Sequence, residues 1–431
     1  MHYAIECGDV LEILRTLPDN SFDGLFCDPP YGLSFMGKKW DYDVPSVAVW
    51  AEALRVLKPG APLLAFGGSR TYHRLASGIE DGGFELRDQL MFLYGKGFPK
   101  SLNVSKALDN AAGATRPIIG TQVLTGNAAV SLKDKGGTFG VQVGTVAPKT
   151  VNLTGPATDM AKQWDGYGTA LKPAFEPLCL ARKPLEGTVA ANVTKWGVGG
   201  LAIDASRIGR AEGDVSGWSQ TGSSSSQNVS MSGANYAREA KPDASGRFPA
   251  NLILDEAAGA LLDEQAGDKP STLFRENTAS GAVLPMTKRT AGGYSDSGGP
   301  SRFFYSAKVS TKERNAGCDH LPLRSAGDVT DREDDSAGLD SPRAGAGRGG
   351  GARNHHPTLK PLSLNTYMAR LIMPPTRDAT ILVPFAGAGS EMIGCLLAGW
   401  PCVFGIERDP EYVQIAHARI AHWAKAARQA A

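Results

Sequence analysis

The stretch "FCDPPYGLSF", residues 26–35, ends an apolar run on a carboxylate and follows it with two prolines and an aromatic residue. Pyrrolidine rings fix φ at about −65°, so Asp28, Pro29, Pro30 and Tyr31 form a stiff tetrapeptide. A carboxylate that only needs solvation has no use for rigid neighbours; one that holds a small polar group at a fixed distance does. Asp28 can accept one N–H of a planar amino group and the Pro29 carbonyl the other, while Tyr31 offers a flat face to a ring. An amino group conjugated to a ring is a poor nucleophile because its lone pair is delocalised. Two acceptors placed this way recover the lone pair and aim it at an electrophile. The plainer alternative is a turn with a capping aspartate and a buried tyrosine.

A second motif lies near the other end. In "VPFAGAGS", Val383 to Ser390, an apolar strand ends at Phe385, and Ala386, Gly387 and Gly389 make a turn that enters a helix at Ser390. Glycines there let backbone approach a ligand. Glu407, 20 residues after Gly387 and at the end of the next expected strand, can accept hydrogen bonds from ribose hydroxyls. Position 392 is Met where a full dinucleotide fingerprint has its third glycine. An adenosyl ligand with no phosphate, such as S-adenosyl-L-methionine, fits such a turn better than a dinucleotide. Taken alone, the motif reads equally well as a packing turn beside a solvated glutamate.

The surrounding pattern supplies elements to carry both motifs. "FDGLFCD" predicts a buried strand ending at Asp28; Val47, Trp50, Ala51, Leu54 and Leu57 recur at helical spacing; "KPGAPLLAFGG" and "RDQLMFLYGKG" each carry another strand. The style returns at the end. Leu364, Met368 and Leu371 mark a helix face, "ATILVPF" and "CVFGIE" are strands, and Tyr412, Ile415, Ile420 and Trp423 mark a last helix. Strands alternating with helices predict a mostly parallel sheet covered on both faces. Between about Asn103 and Arg353 glycine and small polar residues dominate, with islands such as "WDGYGTALKPAFEPLCLARKPL", "GRFPANLILD" and "SRFFYSAKVSTKERN". "SGWSQTGSSSSQNVSMSG" reads as a loop and "DVTDREDDSAGLDSPRAGAGRGGGAR" as a linker.

Composition narrows the field. Lys+Arg 45 against Asp+Glu 44 gives a net charge of +1, so contact with a polyanion must come from local clusters. Arg182, Lys183, Arg207, Arg210, Arg247, Arg302 and Arg314, interleaved with Trp196, Phe248 and Phe303 to Tyr305, form one such region. The six cysteines have no paired spacing and predict reduced thiols; Cys27, inside an apolar run, reads as a buried strand thiol rather than a nucleophile. His355 and His356 lack a third ligand at metal spacing, and no metal is expected. With neither an export signal nor an apolar run of membrane length, the sequence predicts a soluble intracellular protein.

In order and content, "CDPPY" near the start and "FAGAGS" near the end resemble the S-adenosyl-L-methionine-dependent amino-methyltransferases of DNA, specifically the permuted β class. There the catalytic half precedes a target-recognition region and the cofactor half comes last. "CGDVLEILRTLPDNSFDGLFCDPPY", "WAEALRVLKPGAPLLAF", "LYGKGFPKSLNV" and "HHPTLKPLSLNTYMARLI" are similar to further blocks of that family. The resemblance implies a doubly wound, mostly parallel Rossmann-like α/β sheet, circularly permuted, with a large irregular insertion. It divides the chain into a catalytic half (1–110), a target-recognition region (111–353) and a cofactor half (354–431). It implies methyl transfer to N6 of a flipped adenine in double-stranded DNA, with Asp28, Pro29, Pro30 and Tyr31 catalytic and S-adenosyl-L-homocysteine as product. Asp9, Asp28, Phe385, Ala386, Gly387, Gly389, Ser390 and Glu407 would hold the cofactor, with Thr358 and Lys360 at its amino-acid end. Tyr94 or Phe98 would touch the target base, and Arg182, Arg207 and Arg302 the DNA. Homodimerisation, a cognate restriction endonuclease and a bacterial or phage origin, in the cytoplasm, belong to the same picture. Alternatives stay open: N4 of cytosine as target, or a non-catalytic DNA-binding module on the same fold. Glutamine-amide methyltransferases with an N-P-P-Y motif place the cofactor motif first, and a nicotinamide dehydrogenase needs the fuller glycine fingerprint.

Overall fold

A computed structural model of the chain describes residues 2–33, 41–95, 101–124, 149–209, 216–217, 246–270, 293–294, 297–308, 312–324 and 352–430. The chain forms two compact units, one of Met1–Gly95, Phe175–Ser310 and Lys360–Ala431, the other of Lys96–Ala174 and Thr311–Leu359. Among the described residues the first unit carries a nine-stranded sheet: β1 (His2–Cys7), β2 (Gly24–Cys27), β3 (Pro62–Phe66), β4 (Glu85–Leu93), β5 (Phe175–Arg182), β6 (Leu252–Asp255), β7 (Tyr305–Ala307), β8 (Thr380–Pro384) and β9 (Cys402–Glu407). They pair in the order β1-β9-β8-β2-β3-β5-β4-β6-β7. Every neighbour is parallel except β5, which runs antiparallel to both β3 and β4.

The central strands read as unbroken apolar runs because both faces are covered. Phe26, Leu64, Phe66, Ile381 and Val383 point into one core, with Met368, Ile393 and Ile420. Their neighbours Leu25, Cys27, Leu63, Ala65 and Leu382 point into the other, with Trp50, Val56 and Ile79. The first core is roofed by α6 (Leu362–Leu371), α7 (Ser390–Ala398) and α8 (Pro410–Ala430). The second is roofed by α1 (Val10–Thr16), α2 (Val47–Val56) and α3 (Tyr72–Asp81); the unit also carries α4 (Val189–Trp196) and α5 (Glu256–Ala266).

The N- and C-terminal segments meet in mid-sheet, where β8 lies against β2 with Ile381 opposite Gly24 and Leu382 opposite Leu25. Buried Asp23 fixes that register: its carboxylate accepts from the Thr380 amide at 2.8 Å and from Lys58 Nζ at 2.6 Å. From β8 the sheet runs outward through β9 and β1 on one side; from β2 it runs through β3 on the other. That reversal is a topological switch point, where open α/β sheets bind ligands beyond their carboxyl ends.

The middle of the chain divides differently from the sequence expectation. Phe175–Ser310 falls in the sheet unit and supplies β5, β6 and β7, from three of the islands named above. The second unit carries a helix over Val104–Ala111, an antiparallel pair of Ile118–Leu124 with Lys149–Thr154, and a short helix over Asp159–Gln163. Its centre is buried Asp109, which accepts from Arg116 Nη1 at 2.6 Å and from the Ala157 and Thr158 amides at 3.0 Å. Phe98, Arg210, the serine-rich stretch from 218 and the linker between 325 and 351 lie outside the described residues.

Candidate active site at the carboxyl edge of the sheet

β2 and β8 run parallel and adjacent, so Asp28, just past Cys27, and Phe385, just past Pro384, both leave the sheet at the carboxyl ends of neighbouring strands. Glu407 ends β9 beside them, opposite Cys7 of β1. Both sequence motifs therefore leave the sheet at one edge, on either side of the switch point. At Phe385 the chain enters a positive-φ turn: φ is 64° at Phe385, 51° at Gly387 and 78° at Gly389. A non-glycine residue held there stores about 1–3 kcal/mol, a strain found at ligand sites. The turn's amides are largely spoken for. Ala386 N–H donates to the Ile406 carbonyl (2.8 Å), Gly389 N–H to the Ala386 carbonyl (2.7 Å) and Gly387 N–H to Glu407 Oε2 (2.7 Å). Glu407 Oε1 accepts from Asp409 N–H at 2.8 Å. Burial raises the Glu407 carboxyl above its ordinary range.

Beyond Pro30 the backbone is held by a residue that the motif does not contain. Asp41, buried, accepts from the amides of Tyr31 (2.7 Å), Gly32 (3.1 Å) and Leu33 (3.3 Å). Asp28 itself is held at both oxygens: Tyr31 Oη donates to Oδ1 at 2.7 Å and Lys360 Nζ to Oδ2 at 2.8 Å. Lys360 also donates to Tyr31 Oη at 2.9 Å and lies 3.2 Å from Glu176 Oε2. Its ammonium sits 4.8 Å from the Phe66 ring centroid and 5.2 Å from that of Tyr31. Burial alone would lower the lysine's pKa, but Asp28 and Glu176 outweigh it and raise it, so Lys360 is a cation at any working pH. The Tyr31 hydroxyl is pushed well up by burial and by Asp28 and Glu176.

One more carboxyl belongs to the group. Glu391, in the first turn of α7, is buried and accepts from Asn365 Nδ2 at 3.0 Å. Burial, then the charge of Asp28, push it up to about 7, with Lys360 and Asn365 opposing. A carboxyl raised in the folded state binds its proton more tightly there than in the unfolded chain. Its contribution to stability is complete below about pH 4.5 and drains away as pH rises to about 7, a change of about 3 kcal/mol. Glu391→Gln removes that dependence. The variant's stability relative to wild type should rise between pH 5 and pH 8, read by urea unfolding at both; a constant difference would mean that Glu391 carries no such burden.

The remaining expected residues distribute as follows. Asp9 is exposed and caps α1, accepting from Leu11 and Glu12 amides at 2.9 and 3.3 Å. Ser390 is buried, its Oγ 3.0 Å from Arg419 Nη1 of α8; that guanidinium also donates to the Ala388 carbonyl at 2.5 Å and braces the glycine turn. Tyr94, just past β4, has its hydroxyl raised by burial and by Glu176, with Lys360 opposing, which places it near the cluster. Thr358 falls in the second unit, its carbonyl 2.5 Å from His356 Nδ1. The arginines expected at DNA have partners of their own. Arg182 pairs with Glu85, at the end of β5 that lies against the starts of β3 and β4. Arg302 precedes β7, donating to the Gly299 carbonyl at 2.9 Å and covering Phe303, and Arg207 pairs with Asp204. Cys27 is fully buried, its thiol pushed well up by burial. Among the described residues, no group of three or more His, Cys, Asp or Glu is arranged to hold a metal, and no helix is long and apolar enough to cross a membrane. Glu176, Asp41, Glu391 and Arg419 escaped the sequence reading.

No family model matches the chain. In structure it is similar to M1.HpyAVI, at 11% identity and a TM-score of 0.36 over 97% of this chain and 98% of that one. It is similar to TTHA0409 of Thermus thermophilus in complex with S-adenosyl-L-methionine, at 12% identity and a TM-score of 0.34 over 98% and 95%. It is also similar to PvuII DNA methyltransferase, described as cytosine-N4-specific, at 11% identity and a TM-score of 0.39 over 100% and 93%. Likenesses this distant say nothing of this chain's own substrate.

Proposed function

We propose that the chain is an S-adenosyl-L-methionine-dependent DNA amino-methyltransferase of the circularly permuted β class, acting on N6 of an adenine flipped out of duplex DNA. The observation that carries this reading is the meeting of "DPPY" and "FAGAGS", from opposite ends of the chain, at one switch point of one sheet. The residues at the glycine turn fit the donor. Three of the turn's amides are used internally and two acids, Glu407 and Asp409, border it, so it offers a pyrophosphate little. With the Gly387 and Asp409 amides bound, the Glu407 carboxylate still has a lone pair for a ribose hydroxyl. The carboxylates of Asp28 and Glu176, against Lys360 among the described residues, favour a cationic ligand.

S-adenosyl-L-methionine supplies, when bound, a methyl group whose bond to sulfur breaks with the electron pair staying on sulfur. Phe385 to Gly389 and Glu407 would hold it. Asp28 and the Pro29 carbonyl take the two N–H groups of the target amine, so that its lone pair points toward the cofactor side. The nitrogen that gains a carbon must lose one proton, and Asp28 is the acceptor within reach. Lys360 and Tyr31 keep that carboxylate in place meanwhile. Aspartate at the first position of the motif favours adenine, since serine is commoner in N4-cytosine members of the family it resembles.

The test is direct. Purified protein, S-adenosyl-L-methionine labelled in the methyl group and plasmid DNA are incubated, and the DNA is digested to nucleosides. Label in N6-methyladenine is the expected result. Label in N4-methylcytosine corrects the base and leaves the mechanism; DNA without label rejects the reading.

A further inference from the structure

Lys360 lies in the block "HHPTLKPL", whose family resemblance assigns it to the amino-acid end of the donor. The geometry points elsewhere. We infer that Lys360 is a positioning residue for the acceptor half of the reaction: it holds the Asp28 carboxylate and the Tyr31 hydroxyl where an incoming amino group needs them, with Glu176 as its counter-anchor. This rests on the methyl-transfer reading given above.

Three observations carry it. An ammonium has three N–H groups, and three oxygens lie within 3.2 Å of Nζ: Asp28 Oδ2, Tyr31 Oη and Glu176 Oε2. A donor carboxylate would have to displace one of them. It would also have to approach beside the Asp28 and Glu176 carboxylates, which already stand 2.8 and 3.2 Å from Nζ. Finally, the side chain is 8% exposed and its ammonium lies over the Phe66 ring, so the cation is committed to the interior rather than presented to an entering ligand. A buried ammonium hydrogen-bonded to Asp28 and Tyr31 and ion-paired with Glu176 fixes rotamers. Asp28 cannot turn without losing Lys360, and Tyr31 cannot swing without losing both. Glu176 arrives from β5, the one antiparallel strand, and through Lys360 couples that strand to the "DPPY" loop.

Wild type and Lys360→Met are compared in the full chain. Donor affinity is read by isothermal titration with S-adenosyl-L-methionine alone, and kcat with plasmid DNA at saturating donor. The expected result is a kcat lowered on the order of tenfold to a hundredfold, the scale of a misplaced reacting group, with donor Kd unchanged. A weakened donor Kd with kcat retained returns Lys360 to the donor's amino-acid end and overturns the inference. If Lys360→Met does not fold, Glu176→Gln and Tyr31→Phe each remove one leg of the network while leaving the lysine's bond to Asp28. Both should lower kcat at unchanged donor Kd, and their double variant should lose less than the product of the two single losses. Full multiplicativity, or a shift confined to donor Kd, overturns it as well. The two levels of failure are separable: wild type without label transfer sinks the functional reading, whereas active wild type with a Kd-only defect at Lys360 sinks this inference alone.

Discussion

Asp28→Ala lowers kcat for methyl transfer by about a thousandfold, the middle of the range for removing a positioned acid–base group, while donor and DNA binding stay measurable. Asp28 is the one carboxylate of the "DPPY" loop, and the Tyr31 hydroxyl is occupied, donating to Asp28 and accepting from Lys360. Tyr31 Oη and Lys360 Nζ both direct protons toward it. Glu176 is paired with Lys360, its Oε2 3.2 Å from the ammonium. The alanine variant carries a second burden, because it leaves the ammonium of Lys360 buried with one counter-charge fewer. Removing one partner of a buried ion pair costs about 3–5 kcal/mol, so activity loss in Asp28→Ala has to be read beside a thermal melt. Asp28→Asn separates the two effects. The amide keeps the volume and can still accept from Lys360 through its oxygen, but it carries no charge and cannot take the departing proton. A folded, donor-binding Asp28→Asn protein with the same kinetic loss is the expected outcome, and one that turns over normally would show the chemistry to lie elsewhere.

Much of this site can be read from the chain before any coordinates, and the reason is physical. Parallel strands covered on both faces appear as continuous apolar runs, so "GLFC" and "ILVP" announce themselves. Both end on residues that a strand interior would not tolerate, a carboxylate in one case and a glycine turn in the other. What stays hidden is whatever reaches the site over long separations. Asp41 lies ten residues past Tyr31, in "KKWDYD", and no local rule says that its carboxylate will gather the three amides after Pro30. Glu176 stands between Phe175 and Pro177 in an antiparallel strand whose partners precede it by more than eighty residues, so it reads only as a polar interruption. Lys360 is visible as a cation, but its bond to Asp28 spans 332 residues. The arginines are hard to place for a different reason. A cation in a polar stretch carries no direction, and only the strand register shows Arg182 at the edge of the sheet opposite Asp28. Composition misleads about units too, since glycine and serine between the islands conceal three strands of the main sheet.

Gly389→Val weakens donor affinity by a hundredfold to a thousandfold and, at saturating donor, leaves kcat within reach of wild type, the reverse of the Asp28 pattern. Gly389 adopts φ 78°, where a β-branched residue is a steric outlier. Its missing side chain also faces α8: a Cβ there would stand 3.1 Å from Ile420 Cδ1 and 3.2 Å from Ala416 Cβ. Neither can retreat easily, because both belong to the core beneath the sheet and neighbouring Arg419 is tied to the Ala388 carbonyl and Ser390 Oγ. Forcing αL costs about 1–2 kcal/mol and overpacking about 1–3 kcal/mol. The turn can escape both by moving off α8, and in doing so it breaks the Gly389 bond to Ala386 and shifts the turn against Glu407. The donor must then restore the native turn on binding, and at about 1.4 kcal/mol per tenfold that restoration sets the size of the affinity loss. Gly389→Ala, with the conformational cost and a smaller contact, should fall between, at about tenfold. Isothermal titration with S-adenosyl-L-methionine measures both. Unchanged affinity in the valine variant would mean that the glycine turn is packing alone, and that the donor, if there is one, sits somewhere other than the switch point.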